Sequence, residues 1–228
     1  MSFKRLFDYY RSMIANEVHL DSRSAGLTKE RLLVVAGELF ADGGFDSVSL
    51  RTITDQANVN LASVNYHFGS KEELIGAVVD DIVRPVNEKR LSLLSLIDYT
   101  KQDPIRKIIH AFIDPVFDIS DSENDGGNKY YKLISRCIAS RDKRVSSIII
   151  KQFPEVLVHF VGALTKAMPS IDSNSAHLKI MFMAGALAHS LFHYENLLLI
   201  SEGRFDLDST EVLKSELVSF LLMGMNAS

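Results

Sequence analysis

Six side chains able to donate or accept hydrogen bonds fall between positions 63 and 71 of this chain: Ser63, Asn65, Tyr66, His67, Ser70 and Lys71. They form no nucleophile–base pair and no metal-ligand spacing. A hydroxyl, an amide, a phenol and an imidazole along a short helix are instead the groups that meet base edges and phosphates in the DNA major groove. Arg51, upstream, can bond guanine at two atoms or a phosphate. Asn65 suits an adenine edge or a phosphate, and Tyr66 and His67 offer an O–H and an N–H at phosphate height. Lys71, with the free N–H groups behind Ser70, makes an anion site at a helix N-terminus. Leu61 either touches a thymine methyl or packs against the preceding helix.

Those residues need rigid positioning, and the surrounding sequence supplies it. Ser49 can cap a helix in which Leu50, Ile53 and Ala57 share one face. Asn58 falls at the break, where a left-handed backbone is expected and Asn tolerates it. Asn60 can cap a second helix, Leu61 to Phe68, with Val64 and Phe68 pointing inward and Ser63, Asn65, Tyr66 and His67 outward. Ser70-Lys71-Glu72-Glu73 reads as a capping box opening a third helix that runs through Leu74, Val78 and Ile82 to about Leu96, with Pro85 expected to kink or break it. Upstream, Thr28 caps a helix from Lys29 to Asp42 with Leu32, Ala36, Leu39 and Phe40 on its core stripe, closed by Gly43-Gly44. The alternative is that Tyr66 and Phe68 are both plain core and the polar groups a solvated face.

This stretch resembles the TetR family of bacterial transcription regulators. The resemblance rests on Ala36-Gly37-Glu38-Leu39-Phe40, Gly44-Phe45, Ser49-Leu50-Arg51, Ile53, Val59, and Asn65-Tyr66-His67-Phe68-Gly69-Ser70-Lys71 followed by Leu74. It departs at Asn58, where the family usually has Gly, and at Leu61, where a polar residue is common. The wording VNLASVNYHFGSKE, with the stretch from Phe205-Asp206-Leu207 to Gly224-Met225, is similar to the branch that answers to fatty acids or their CoA thioesters. The resemblance implies an all-α fold: a three-helix helix-turn-helix head and a larger helical body for ligand binding and dimerisation. It puts Ser49, Arg51, Asn60, Leu61, Ser63, Asn65, Tyr66, His67 and Lys71 at DNA, and makes the last two helices a homodimer interface. Its implied partners are a double-stranded palindromic operator and a small-molecule effector, such as a fatty acid or acyl-CoA.

Composition agrees with an ordinary helical protein: 46% hydrophobic, 24% charged, 5 Pro and 12 Gly in 228 residues. Net charge is −4, and residues 1–71 hold eight basic and eight acidic residues, so the reading segment is no basic patch. Affinity for DNA must therefore come from a few placed donors, doubled by dimerisation, and not from a broad positive field. The single Cys137 excludes internal disulfides, fits a reducing compartment and reads as a small buried residue. No apolar run is long enough to span a bilayer, and residues 1–18 are amphipathic without a signal-peptide core, so no membrane partner and a cytoplasmic location are expected.

The expected organisation is an extension with an extra helix (1–27, with 21–26 as linker), the head (28–75) and the body (76–228). Body helices are expected at 104–119, 128–140, 143–167 (interrupted by Pro154), 175–200 and 210–225, and 121–128 as a polar loop. The apolar run from Met181 to His189, with its small residues, and the last helix suggest a subunit interface through Ala184, Ala188, Leu191, Leu213, Leu217, Phe220 and Leu221. Phe112, Phe117, Tyr131, Phe153, Phe160 and Phe182 are candidate linings of an apolar ligand pocket, with Arg136 or His159 for a polar head group. Each of these is more often plain core. His189 and His193 lie at i, i+4 near Glu195, a spacing that suits metal, but no further ligand motif accompanies them, and neither a metal nor a cofactor is expected. No phosphate loop, nucleophile elbow or HExxH motif marks an enzyme. A helical lipid or small-molecule carrier, or a metal-dependent enzyme using the two histidines, is the alternative to a regulator.

Overall fold

The computed structural model describes residues 21–120, 133, 134, 143–192, 200 and 210–226, and among these every regular element is a helix. In chain order they are α1 (Asp21–Gly43), α2 (Leu50–Ala57), α3 (Leu61–Phe68), α4 (Lys71–Ser95), α5 (Pro104–Ser120), α6 (Lys143–Ile150), α7 (Pro154–Ala167), α8 (Ser173–Phe192) and α9 (Thr210–Asn226). The stretch 21–26, expected as a linker, is the first turn and a half of α1, so Thr28 lies inside that helix and does not cap it. No proline interrupts those residues, and helix continues until Gly43-Gly44, where Gly44 takes φ 82. Pro154 does end one helix and begins the next, at the first position of α7. Pro85 neither ends nor splits α4; it sits inside the helix with its ring exposed.

The chain forms two compact units. One contains residues up to Ile82 together with the segment ending at Lys151. The other contains Val83–Asp121 and Gln152 onward. The division thus falls within α4, not at residue 75, and α6 belongs with the first unit. There Arg144 reaches Glu72 at 3.0 Å, and Val145 and Ile149 are buried.

In the first unit α1 packs on α2 and α3, and these pack on one another. Leu32, Ala36, Phe40, Ile53, Val64 and Leu74 are fully buried. Phe40 and Phe45 meet at 5.2 Å between ring centroids, closing the base of this core.

In the second unit α5 packs on α7 and α9, and α8 on both α7 and α9. Ile108, Ile109, Ile113, Phe117, Phe160, Leu164 and Met183 are fully buried there. Local chemistry fixes the helix ends. Asp172 accepts the Ser175 backbone N–H at 2.7 Å, which holds its carboxyl below the usual carboxylate range. Lys179 donates to the carbonyls of Gly224 and Met225, at 3.3 and 3.0 Å, near the end of α9.

Candidate nucleic-acid interface

Residues 49–73 form a relay of caps. Ser49 Oγ accepts the Thr52 N–H at 3.0 Å and starts α2. Asn58 closes α2 in the left-handed region (φ 52, ψ 50), its N–H bonded back to Asp55 and Thr54 carbonyls. An ordinary side chain would be strained at this φ; Asn takes it at modest cost. Asn60 Oδ1 then accepts the Ser63 N–H at 2.9 Å and starts α3. Gly69 (φ 78) ends it, bonding to the Val64 and Asn65 carbonyls. Finally Ser70 Oγ accepts the Glu73 N–H at 3.1 Å and starts α4. Between Ser49 and Glu73 each helix end is therefore held by a named bond, and α3 is fixed at both of its termini.

What α3 displays follows from this. Val64 and Phe68 are buried beneath it, as their spacing predicts. Asn65 and Tyr66 point away from the core, and Tyr66 is 81% exposed, which removes the reading of Tyr66 as core. Leu61 is 50% exposed and so is available to a partner, and Ala62, which the sequence reading passed over, is exposed beside it. Ser63 and His67 are only half-buried flanking groups. The Ser63 hydroxyl donates to the cap oxygen of Asn60 at 3.2 Å, and the His67 ring stands edge-on to Tyr66 at 4.9 Å. Both stiffen the display. Arg51 and Ser49 are exposed at the start of α2.

Lys71 has a structural role beside the expected one. Its ammonium donates to the Phe45 carbonyl at 2.6 Å, tying the start of α4 to the turn between α1 and α2. A Lys71 substitution therefore disturbs the fold of the head as well as any phosphate contact.

In the second unit the structure separates the residues expected together. Phe112, Phe117 and Phe160 are buried, and Phe112 and Phe160 pack edge to face at 5.2 Å. Phe153 is half-buried at the cap of α7. Two candidates do not face inward: His159 is exposed with Nδ1 2.8 Å from its own helix's Glu155 carbonyl, and Phe182 is 63% exposed. Tyr131, Arg136, Cys137, His193 and Glu195 lie outside the described residues, as do 1–20 and 121–128. His189 is exposed on α8.

The interface residues also sort differently from expectation. Leu217 and Leu221 are buried at 6% and 4% exposure, so they serve the core of the second unit. Ala184, Ala188, Leu191 and Leu213 are half-buried, and of the residues named only Phe220 is exposed. The outward stripe instead comprises Leu178, Met181 and Phe182 on α8 and Val212, Phe220 and Met223 on α9.

Sequence reasoning missed Arg90. It is 4% exposed, donates from Nε to the Phe112 carbonyl at 2.9 Å and from Nη1 to Asn87 Oδ1 at 3.2 Å, and lies 4.1 Å over the Phe112 ring. Asn87 in turn donates to the Gln152 carbonyl at 2.8 Å. The available signal was position: Val83, Val86, Arg90 and Leu94 share one face of α4, so the guanidinium lies on an apolar stripe.

Comparison with known proteins agrees with this geometry. Residues 32–78 match the model for bacterial regulatory proteins of the tetR family, and residues 110–224 that for the tetracyclin repressor-like C-terminal domain. The transcriptional repressor KstR2 of Mycolicibacterium smegmatis is 28% identical over 85 residues, 37% of this chain and 40% of its own. The repressor Rv3405c of Mycobacterium tuberculosis is 41% identical over 51 residues, 22% of this chain and 27% of its own. The aligned stretches thus span well under two thirds of either relative. Among solved structures, FadR of Bacillus subtilis in complex with stearoyl-CoA has a TM-score of 0.64 at 14% identity, covering 86% of this chain and 98% of that one. A regulator from Aquifex aeolicus has 0.57 at 20% identity, with 86% and 98% covered. No single described helix is long and apolar enough to cross a membrane. With both of its domain models matched, one of them over half its length, this chain belongs to the TetR family of DNA-binding transcription regulators.

Proposed function

We propose that this protein is a repressor that binds a palindromic operator as a homodimer and is released by a small apolar or acyl effector. The observation that carries the DNA reading is Tyr66, four-fifths exposed (81%) on a short helix locked at both ends. Burying such a ring against a phosphate backbone or base edge restores the contacts it lacks in the free chain. Tyr66→Ala should weaken binding to a duplex enriched from random sequence by about tenfold to a hundredfold, the worth of one good contact. Circular dichroism and melting temperature should not change. Unchanged affinity in a mobility-shift titration would show that α3 is not the reading helix.

The homodimer is supported by the outward stripe. Leu178, Met181, Phe182, Val212, Phe220 and Met223 are each at least half exposed, and they recur at helical spacing on two helices that pack together. Monomeric surfaces scatter large apolar groups singly, whereas a stripe on paired helices calls for a partner. Pairing with a second copy by a two-fold axis makes this patch self-complementary and presents two copies of α3 to successive grooves.

For the effector, support comes from the fold shared with FadR, which was solved with stearoyl-CoA. Release would act through α4, a single helix from Lys71, immediately behind α3, to Ser95. A ligand that binds better to the form with mismatched heads shifts the population toward it. Stearoyl-CoA titrated into the protein–duplex complex should free the duplex and raise the melting temperature of the protein. If it changes neither, the acyl reading falls while DNA binding stands.

A further inference from the structure

The outward face of α3 carries no charged residue. Leu61, Ala62, Asn65 and Tyr66 are its exposed side chains, spread over an arc of about 140° at the angular step of an α-helix, with Leu61 at the edge nearest buried Phe68. Each base pair shows the major groove a distinct pattern. Guanine O6 and N7 are best met by Arg or Lys and the cytosine amino group by a carboxylate. The adenine edge is best met by Asn or Gln, and the thymine methyl by an apolar group. Besides the Tyr66 hydroxyl, which selects no single base, this face holds only the last two kinds: Asn65 for adenine, and Leu61 with Ala62 for thymine methyls. Leu61 starts the helix and is half exposed (50%), so its side chain is neither withdrawn into the core nor free of it. The single cation of α2 and α3 is Arg51, exposed on the neighbouring helix, where it reaches phosphate or one flanking guanine.

We infer that the half-site under α3 is built on A·T pairs, and that Leu61 is a specificity-determining residue reading a thymine methyl. This rests on the DNA-binding reading and narrows it to a class of sequence. The burial of one methyl group sets the size of the effect at about fourfold in affinity.

The test does not require the operator sequence in advance. Duplexes are enriched from a random-sequence library by the full chain, and the thymines of an enriched duplex are then replaced singly by uracil, which removes only the methyl. One thymine in each half-site should show the fourfold loss. Leu61→Ala should bind the thymine and uracil duplexes equally, at the affinity the parent shows for uracil, because the two changes remove the same contact. Because uracil alters only the DNA, the first result holds even if the Leu61 variant folds poorly. Enriched half-sites with G·C pairs under α3, or uracil tolerated at every position, would overturn the inference and leave DNA binding intact. Failure to enrich any duplex at low salt would overturn both.

Discussion

A Phe220→Glu or Met181→Glu chain sediments as a monomer and loses its hold on a two-half-site duplex, while helix content stays at the parent's value. Phe220 is 69% exposed and Met181 is 56% exposed, so a carboxylate at either position meets water in the free subunit and costs the fold little. Across a two-fold interface the same carboxylate is buried in an apolar contact, close to its own symmetry mate, with no counter-charge supplied. Loss of the second head removes the gain from simultaneous engagement, about a hundredfold to ten-thousandfold in apparent affinity. Leu217→Glu is a different experiment, because Leu217 belongs to the core of its own subunit, and a carboxylate there should unfold that unit. A dimer that persists in ultracentrifugation for both Phe220→Glu and Met181→Glu would show that this stripe is not the interface.

Arg90→Ala should cost about 3 kcal/mol or more. The substitution removes the donor to the Phe112 carbonyl, the donor to Asn87 Oδ1 and the guanidinium stacked on the Phe112 ring at once. It also opens a cavity where only 4% of Arg90 was exposed. Arg90→Lys keeps the charge but not the planar fork that serves both acceptors, so it should fall between Ala and the parent. Denaturant midpoints measure this directly. An Arg90→Ala chain as stable as the parent would mean that the buried guanidinium contributes no net stability.

The head was readable because its signals are local. Ser49, Asn60 and Ser70 each cap a helix starting at the next residue, and Asn58 takes the one left-handed backbone between α2 and α3. The body was less so, for reasons of geometry. On α9 Leu217 and Phe220 are alike in composition and a turn apart, yet one faces the core and the other faces out; an apolar pattern nearly all round a helix does not say which arc its own subunit claims. Phe182 was misplaced for the same reason. Arg90 was hidden in the run Asn87-Glu88-Lys89-Arg90, where neighbouring charges are solvated and only its register on α4 distinguished it. The placing of α6 with the first unit brings Arg144 to Glu72, distant in sequence, which no local pattern announces.

The most direct trial of paired reading helices is hydroxyl-radical cleavage of an enriched duplex bound by the intact protein. The account predicts two equivalent protected patches related by a dyad, their centres about 10 base pairs or a multiple of that apart. Cleavage indistinguishable from free DNA, or one patch without a symmetry mate, would contradict it.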